Sequence, residues 1–340
     1  MAVVQPVAVS AVEARYPACP PYSPAERFSE YPFEEIEAGG ENHAYGAVRG
    51  ALGLLGLDAE RAGTAEWNPL AGFVRPGDTV VLKPNFIRDF HDTRPDEIES
   101  VITHGSMIRA VLDYVAIALE GRGRVVIADA PQCEADFDRI RAFTGLEAIQ
   151  DFYRRHSAIP VEVIDLRPEG TEKVDGVIVG HRRLPGDPAG YTVVNLGRKS
   201  EFMPVNRLNH RLYGSEYDCS EVAAHHHEET HEYLISKTIL DAEVFINLPK
   251  MKTHKKVGVT LNLKNLVGIN GNKNWLPHHR EGVPANGGDQ FASSGLSERL
   301  EWMLGSVFKK HFPKLGRLRR LVGGPAKAMG RAAFGSVWSG

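Results

Sequence analysis

The chain has 340 residues, 42% apolar and 24% charged, a balance that excludes wholesale disorder and suits one large domain or two of ordinary size. Its three cysteines, Cys19, Cys133 and Cys219, stand far apart with no CxxC, which excludes a four-cysteine iron–sulfur or zinc-ribbon site within one chain and speaks against a disulfide scaffold. The net charge of -3 hides an asymmetry: residues 297–340 carry a net +7 and the preceding 296 a net -10, so nucleic-acid binding by the body is disfavoured.

The chain begins without a basic residue before Arg15, and Pro6 breaks its first apolar run, which makes a poor signal peptide. No stretch reaches the roughly 18 apolar residues that span a bilayer. The expected location is the cytoplasm. Residues 1–45, rich in Pro, aromatics and Glu, show no sustained period and read as an N-terminal arm on an α/β domain that spans 46–296.

From there strands and helices alternate. A strand at Thr79–Lys83 ends in Pro84-Asn85, and a helix follows from about Ser106 to Leu119, with Met107, Ile108, Val111, Leu112, Val115 and Leu119 on one face. Val125–Asp129 is a continuous apolar run of the kind buried in parallel sheets. Helices near Phe137–Phe143 and Leu146–His156 lead to a strand at Val161–Asp165. Residues 175–222 are richer in Gly and Pro and read as inserted β-hairpins and loops. Tyr233–Leu240 is predicted as a helix feeding a strand at Val244–Leu248. The expected class is α/β: a mainly parallel sheet with helices on both faces, a hairpin insertion and a basic helical C-terminal segment. Ligands of such sheets lie beyond the carboxyl ends of the strands, here Lys83–Asn85, Asp129–Pro131 and Asn247–Lys250.

The strongest chemical signal is Asn247–His279, NLPKMKTHKKVGVTLNLKNLVGINGNKNWLPHH. It gathers Lys250, Lys252, His254, Lys255, Lys256, Lys264 and Lys273 with Asn262, Asn265, Asn270, Asn272 and Asn274, and contains no acidic residue. Cations and amides massed after a buried strand suit a carboxylate or phosphate. If Val257–Leu266 is helical, a fold-back through Gly268 and Gly271 brings Lys264 and Asn265 toward Lys250 and His254. A solvated basic loop is the plainer alternative.

Leu248–His254 (LPKMKTH) and Leu263–Gly268 (LKNLVG) resemble the hallmark of the bacterial domain-of-unknown-function family 362, and Lys83–Asn85 with Thr103-His104 match its upstream pattern. NGNKNWLPHH looks like a branch often encoded beside cell-envelope polysaccharide genes. The resemblance covers about residues 78–290 and implies Lys83, Asn85, Lys250, Lys252, His254, Lys264 and Asn265 as shared motif residues, with no general reaction attached. Some relatives carry a ferredoxin-type cysteine module, absent here, so no iron–sulfur cluster is expected. The family continues into a glycine-rich D-G and G-x-G-P segment beyond the point where this chain stops, so the domain reads as incomplete at its C-terminus.

Three further patterns compete. His227, Glu228 and His231 satisfy HExxH, which on a helix would place two zinc ligands on one face with the Glu as base. Charged Glu229 at an inner position speaks against a metallopeptidase, and a solvated histidine-rich turn is the plain alternative. A divalent metal enters only through this cluster, at His227 and His231. His91–Glu97 (HDTRPDE) is faintly similar to an element of lactate-racemase-like proteins, a nickel-cofactor family, and otherwise reads as a surface loop braced by Asp92 and Arg94. Residues 297–331 mix Trp302, Phe308, Phe312 and Leu315 with Lys309, Lys310, Arg319 and Arg320, a basic amphipathic pattern suited to peripheral contact with an anionic membrane or to packing on the rest of the domain.

The expectation is therefore an α/β enzyme for a small anionic metabolite. Lys250, Lys252, Lys264, Asn265, Asn270 and Lys273, with Lys83 and Asn85, would bind it. His254 and Lys264 would carry proton or group transfer, since an imidazole titrates near neutrality. The rivals are a non-catalytic accessory protein of envelope-polysaccharide assembly and the metallopeptidase.

Overall fold

Four short apolar runs build one parallel sheet. In the computed structural model, which describes residues 6–37, 40–91, 93–94, 97–174, 177–214, 220–254, 257–291, 295 and 300, the chain runs α1 (His43–Leu54), β1 (Thr79–Pro84), α2 (Gly105–Leu119), β2 (Arg124–Asp129), α3 (Phe137–Thr144), α4 (Leu146–His156) and β3 (Val161–Asp165). It continues with β4 (Glu169–Val174), β5 (Val177–Arg183), β6 (Tyr191–Asn195), β7 (Leu212–Tyr213), α5 (Ser220–His225), β8 (His226–His227), β9 (Thr230–Ser236) and α6 (Lys237–Leu240). Then come β10 (Val244–Leu248), β11 (Lys252–His254), β12 (Gly258–Thr260), α7 (Asn262–Asn265) and β13 (His279–Arg280). The amphipathic pattern over 297–331, together with Asp92, Cys219, Lys255 and Lys256, lies outside the described residues apart from Leu300.

The chain divides into two units. The first comprises Met1–Pro131, Ala135–Leu166 and Thr238–Ile269; the second comprises Gln132–Glu134, Arg167–Lys237 and Asn270–Gly340. The first holds the parallel sheet, in the order β10-β1-β2-β3. Alternation along its strands supplies two buried faces. Val80, Leu82, Val125, Ile127, Val244 and Ile246 pack under α1, α2 and α4, whereas Val81, Val126, Ala128 and Phe245 meet Ile239 of α6 and Ile269. Burial on both sides is why these strands read as unbroken apolar runs. The α/β class with helices flanking a parallel sheet is as the pattern predicts.

The predicted apolar face of α2 is in the core, yet the helix also buries charge. Arg109 Nε lies 2.7 Å from Asp113 Oδ1, one turn on, and both side chains are inaccessible to solvent. Tyr45 and Tyr153 hydroxyls donate to Asp113 at 3.1 and 2.7 Å, and Arg109 donates to Pro21 O and the Tyr31 hydroxyl. The N-terminal arm, α1 and α4 are thereby fastened to one helix. Tyr22, Tyr31 and Phe33 of the arm are buried in the same core.

The second unit is antiparallel, in keeping with hairpins over 175–222: β4 pairs with β5, β6-β9-β8 form a three-stranded sheet, and β7 pairs with β13. Two helical expectations fail here and at the loop. Residues 230–236 are a strand, and only Lys237–Leu240 is helical. The aromatic and β-branched residues of 233–235 satisfy their backbone by pairing with β6, which outweighs the local helical period. Val257–Leu266 is likewise no single helix: Gly258 takes φ +79, the chain pairs back on β11, and helix is confined to α7 and a following 3-10 turn.

Candidate functional site

The carboxyl ends of β1, β2 and β10 are bound together by a polar frame inside the first unit. Lys83 stands beside Asn247 in the parallel register of β1 and β10. Its ammonium, fully buried, lies 2.8 Å from Asp129 Oδ1 and donates to Pro84 O at 2.8 Å and to Asn265 Oδ1 at 3.2 Å. The Asp129 contact is a close, buried ion pair. Burial pushes the Lys83 pKa down, with Asp129 opposing. Asn265 completes the frame by donating to Lys83 O at 3.0 Å and Asn247 Oδ1 at 2.7 Å. Gly268 closes over it: its carbonyl accepts from Ala130 N, and a Cβ there would overlap Asp129 Oδ1 and crowd the Lys83 side chain. LKNLVG thus supplies an amide that reads both strand ends and a glycine where only hydrogen fits.

Outside this frame lies a cationic layer. Lys252 Nζ donates to Asn85 Oδ1 at 2.9 Å and to Val101 O at 2.8 Å. Half-buried, its pKa is lowered to about 8, chiefly by desolvation; Asp129 opposes, and Arg88, Lys250 and Lys264 push it further down. Asn85 is anchored through its backbone, which exchanges hydrogen bonds with Thr103, whose hydroxyl donates to Leu248 O at 2.7 Å. Lys250 Nζ donates to the Tyr16 hydroxyl at 3.0 Å, and Tyr16 stacks on His104 with centroids 4.2 Å apart. His104 caps α2: its Nδ1 accepts from Ser106 N, so the proton of the neutral ring sits on Nε2. Its pKa falls to about 4 through burial and then the Lys250 charge. His254 Nε2 lies 3.3 Å from Lys264 Nζ at the exposed rim.

The expected site residues are divided between the two units. Lys83, Asn85, Lys250, Lys252, His254, Lys264 and Asn265 are in the first unit, whereas Asn270 and Lys273 belong to the second, where Asn270 is buried and accepts from Lys273 Nζ through its carbonyl. Sequence reasoning passed over His104, Tyr16, Asn247 and Asp129 as members of the site. The readable signal was the Thr103-His104 doublet at the start of α2; nothing local marks Tyr16, 88 residues before the His104 on which it stacks.

The HExxH segment is not helical. His226–His227 and Thr230–Ser236 form a hairpin turned by Glu228 at φ +46, so the i, i+4 geometry of a zinc helix is absent. His227 is exposed and His231 buried. Beside them His226 donates through Nε2 to Trp275 O at 2.7 Å, and its Nδ1 faces His231 Nδ1 at 3.4 Å. Among the described residues no third metal-capable side chain joins His227 and His231; the group of three such side chains is Glu13, Glu41 and His43, largely exposed in the first unit. Among those residues, too, no helix is long and apolar enough to cross a membrane.

The chain is 25% identical over 222 residues to a thylakoid-associated protein of Synechocystis sp., a match covering 64% of this chain and 48% of that protein. It thus spans about half the length of this curated relative. No solved structure matches. Residues 195–315, which include Leu248–Gly268 but not Lys83–Asn85, match the family described as a domain of unknown function (DUF362).

Proposed function

We propose that the first unit binds a small anionic metabolite, a carboxylate or a phosphate ester, at the cationic layer over the ends of β1 and β10, and transfers a proton to or from it. The observation that carries this reading is the gathering of Lys250, Lys264 and Arg88 within electrostatic reach of the partly buried Lys252 ammonium. Like charges collected around a half-buried amine disfavour one another until an anion joins them. On this reading Lys83, Asp129, Asn265 and Gly268 are the frame, while Asn85, Lys250, Lys252 and the Nε2–H of His104 face the ligand. Lys252 is the acid or base, because an amine titrating near 8 exists in both forms close to neutral pH. His254 and Lys264 supply a second proton carrier at the rim. The residues given roles here are those of the first unit.

The test is calorimetry and thermal shift of the full chain against inorganic phosphate, sulfate and a panel of small carboxylates and phosphate esters. At least one anion is expected to bind and to raise the melting temperature, and Lys252→Met is expected to weaken that binding by tenfold or more. Equal binding by wild type and Lys252→Met, or no binding of any anion, would overturn the reading.

A further inference from the structure

Two lysines of the first unit are held by different sets of acceptors. The Lys83 ammonium has three oxygen partners, Pro84 O, Asn265 Oδ1 and the Asp129 carboxylate, one for each N–H and one of them a counter-ion. The Lys252 amine has two, Asn85 Oδ1 at 2.9 Å and Val101 O at 2.8 Å, both uncharged. Among the described residues no third acceptor bonds to it and no carboxylate pairs with it. A neutral amine carries two N–H bonds and one lone pair, so two acceptors satisfy it and leave the lone pair free. An ammonium there keeps one N–H without a protein partner.

The surroundings act in the same sense. Desolvation first, then Arg88, Lys250 and Lys264, disfavour the charged form and bring its pKa to about 8 against the opposing pull of Asp129. An amine desolvated among other cations is activated for attack on a carbonyl. The same cations suit an anionic group on the compound attacked. We propose that Lys252 is a nucleophile that forms a Schiff base with a carbonyl compound bearing a carboxylate or phosphate, such as a 2-oxo acid or a phosphorylated ketone. This rests on the metabolite-binding reading and gives it a substrate class.

In the step, the Nζ lone pair attacks the carbonyl carbon, a C–N bond forms, and the π electrons move onto oxygen. One Nζ proton passes to that oxygen, giving a carbinolamine. His254 lies two residues along β11 from Lys252, and so on the same face, with its Nε2 3.3 Å from Lys264 Nζ. This pair supplies a second proton, the hydroxyl leaves as water, and the nitrogen lone pair closes the C=N bond. The iminium keeps one N–H and acidifies the neighbouring C–H, the bond at which a proton is then transferred.

The experiment incubates the full chain near pH 8 with pyruvate or dihydroxyacetone phosphate and sodium cyanoborohydride, which reduces an iminium to a stable secondary amine. Peptide mass spectrometry then locates the adduct, with exposed Lys199 and Lys237 as references for chance labelling. At least one probe is expected to label Lys252 tenfold or more above those two, and which probe does so separates carboxylate from phosphate. Lactate or glycerol 3-phosphate, the matching anions without a carbonyl, should suppress it. Lys252→Arg keeps the cation without the nucleophile, and is expected to bind the probe by calorimetry yet lose the adduct. A probe bound by the wild type with no adduct at Lys252, or with labelling no higher than at Lys199 and Lys237, would overturn the Schiff base and leave proton transfer standing. A chain that neither binds nor is labelled by either probe would overturn both.

Discussion

At the scale of single residues, Lys83 and Asn265 make a separable prediction. Asn265→Ala removes an acceptor from a buried ammonium and a donor from Asn247, and unsatisfied buried groups cost roughly 1–3 kcal/mol each. Lys83→Met leaves Asp129 buried without its counter-ion, a loss on the order of 3–5 kcal/mol, whereas Lys83→Met combined with Asp129→Leu should recover much of it. Urea denaturation reads both. A stable Asn265→Ala protein with impaired anion binding would move Asn265 from the frame to the ligand. Lys252 makes a prediction of opposite kind. Its folded pKa of about 8 lies below the ordinary lysine value of 10.5, so the unfolded chain holds more protons between the two. Stability contributed by this group should therefore rise as pH climbs from 8 to 10.5. Amine acylation at Lys252, followed by peptide mass spectrometry, should show a midpoint near pH 8; a midpoint near 10.5 would remove its role as proton carrier. Of these residues the sequence announced Lys252 through the LPKMKTH string and Lys83 through the Lys83–Asn85 strand end. It could not announce that Lys83 is wholly consumed by a frame, because its partner Asn265 lies 182 residues away.

At the scale of elements, α2 shows how charge can hide in an apolar pattern. Arg109 and Asp113 sit on a helix that already satisfies the amphipathic rule, and by spacing alone they read as a solvated i, i+4 pair. Burial against Phe152, whose ring lies 3.9 Å from the guanidinium carbon, turns them into an internal tie between helix and arm. Arg109→Met should destabilise the chain by about 3–5 kcal/mol, since it strands Asp113 in the core. Adding Asp113→Leu should restore part of that, which thermal denaturation would measure. The β9 strand and the HEETH hairpin teach the converse. Both carry residues compatible with helix, and both become strands because a partner strand is available in register.

At the scale of the whole chain, acid should loosen the first unit. His104 titrates near 4 in the fold against 6.5 outside it, so the unfolded chain binds more protons across that window and stability falls as pH drops through it. The contribution is roughly 1–2 kcal/mol after allowing for solvent screening. Protonation also removes the lone pair that caps α2. Melting temperatures measured from pH 7 to pH 4 should decline, and His104→Gln should decline less over the same range. A variant profile parallel to the wild type would assign the acid sensitivity elsewhere.

By itself the sequence determined the four parallel strands, α2 to α4 and the placing of a cation-rich segment directly after β10. Each of these rests on local apolar periodicity or on neighbours in the chain, and such information survives without a partner. Tertiary structure alone decided which cations are buried, that the arm belongs to the core, and that residues 230–236 pair with β6 as a strand. Those outcomes depend on pairing and desolvation between segments far apart in the chain, and no window of sequence contains both members of such a pair.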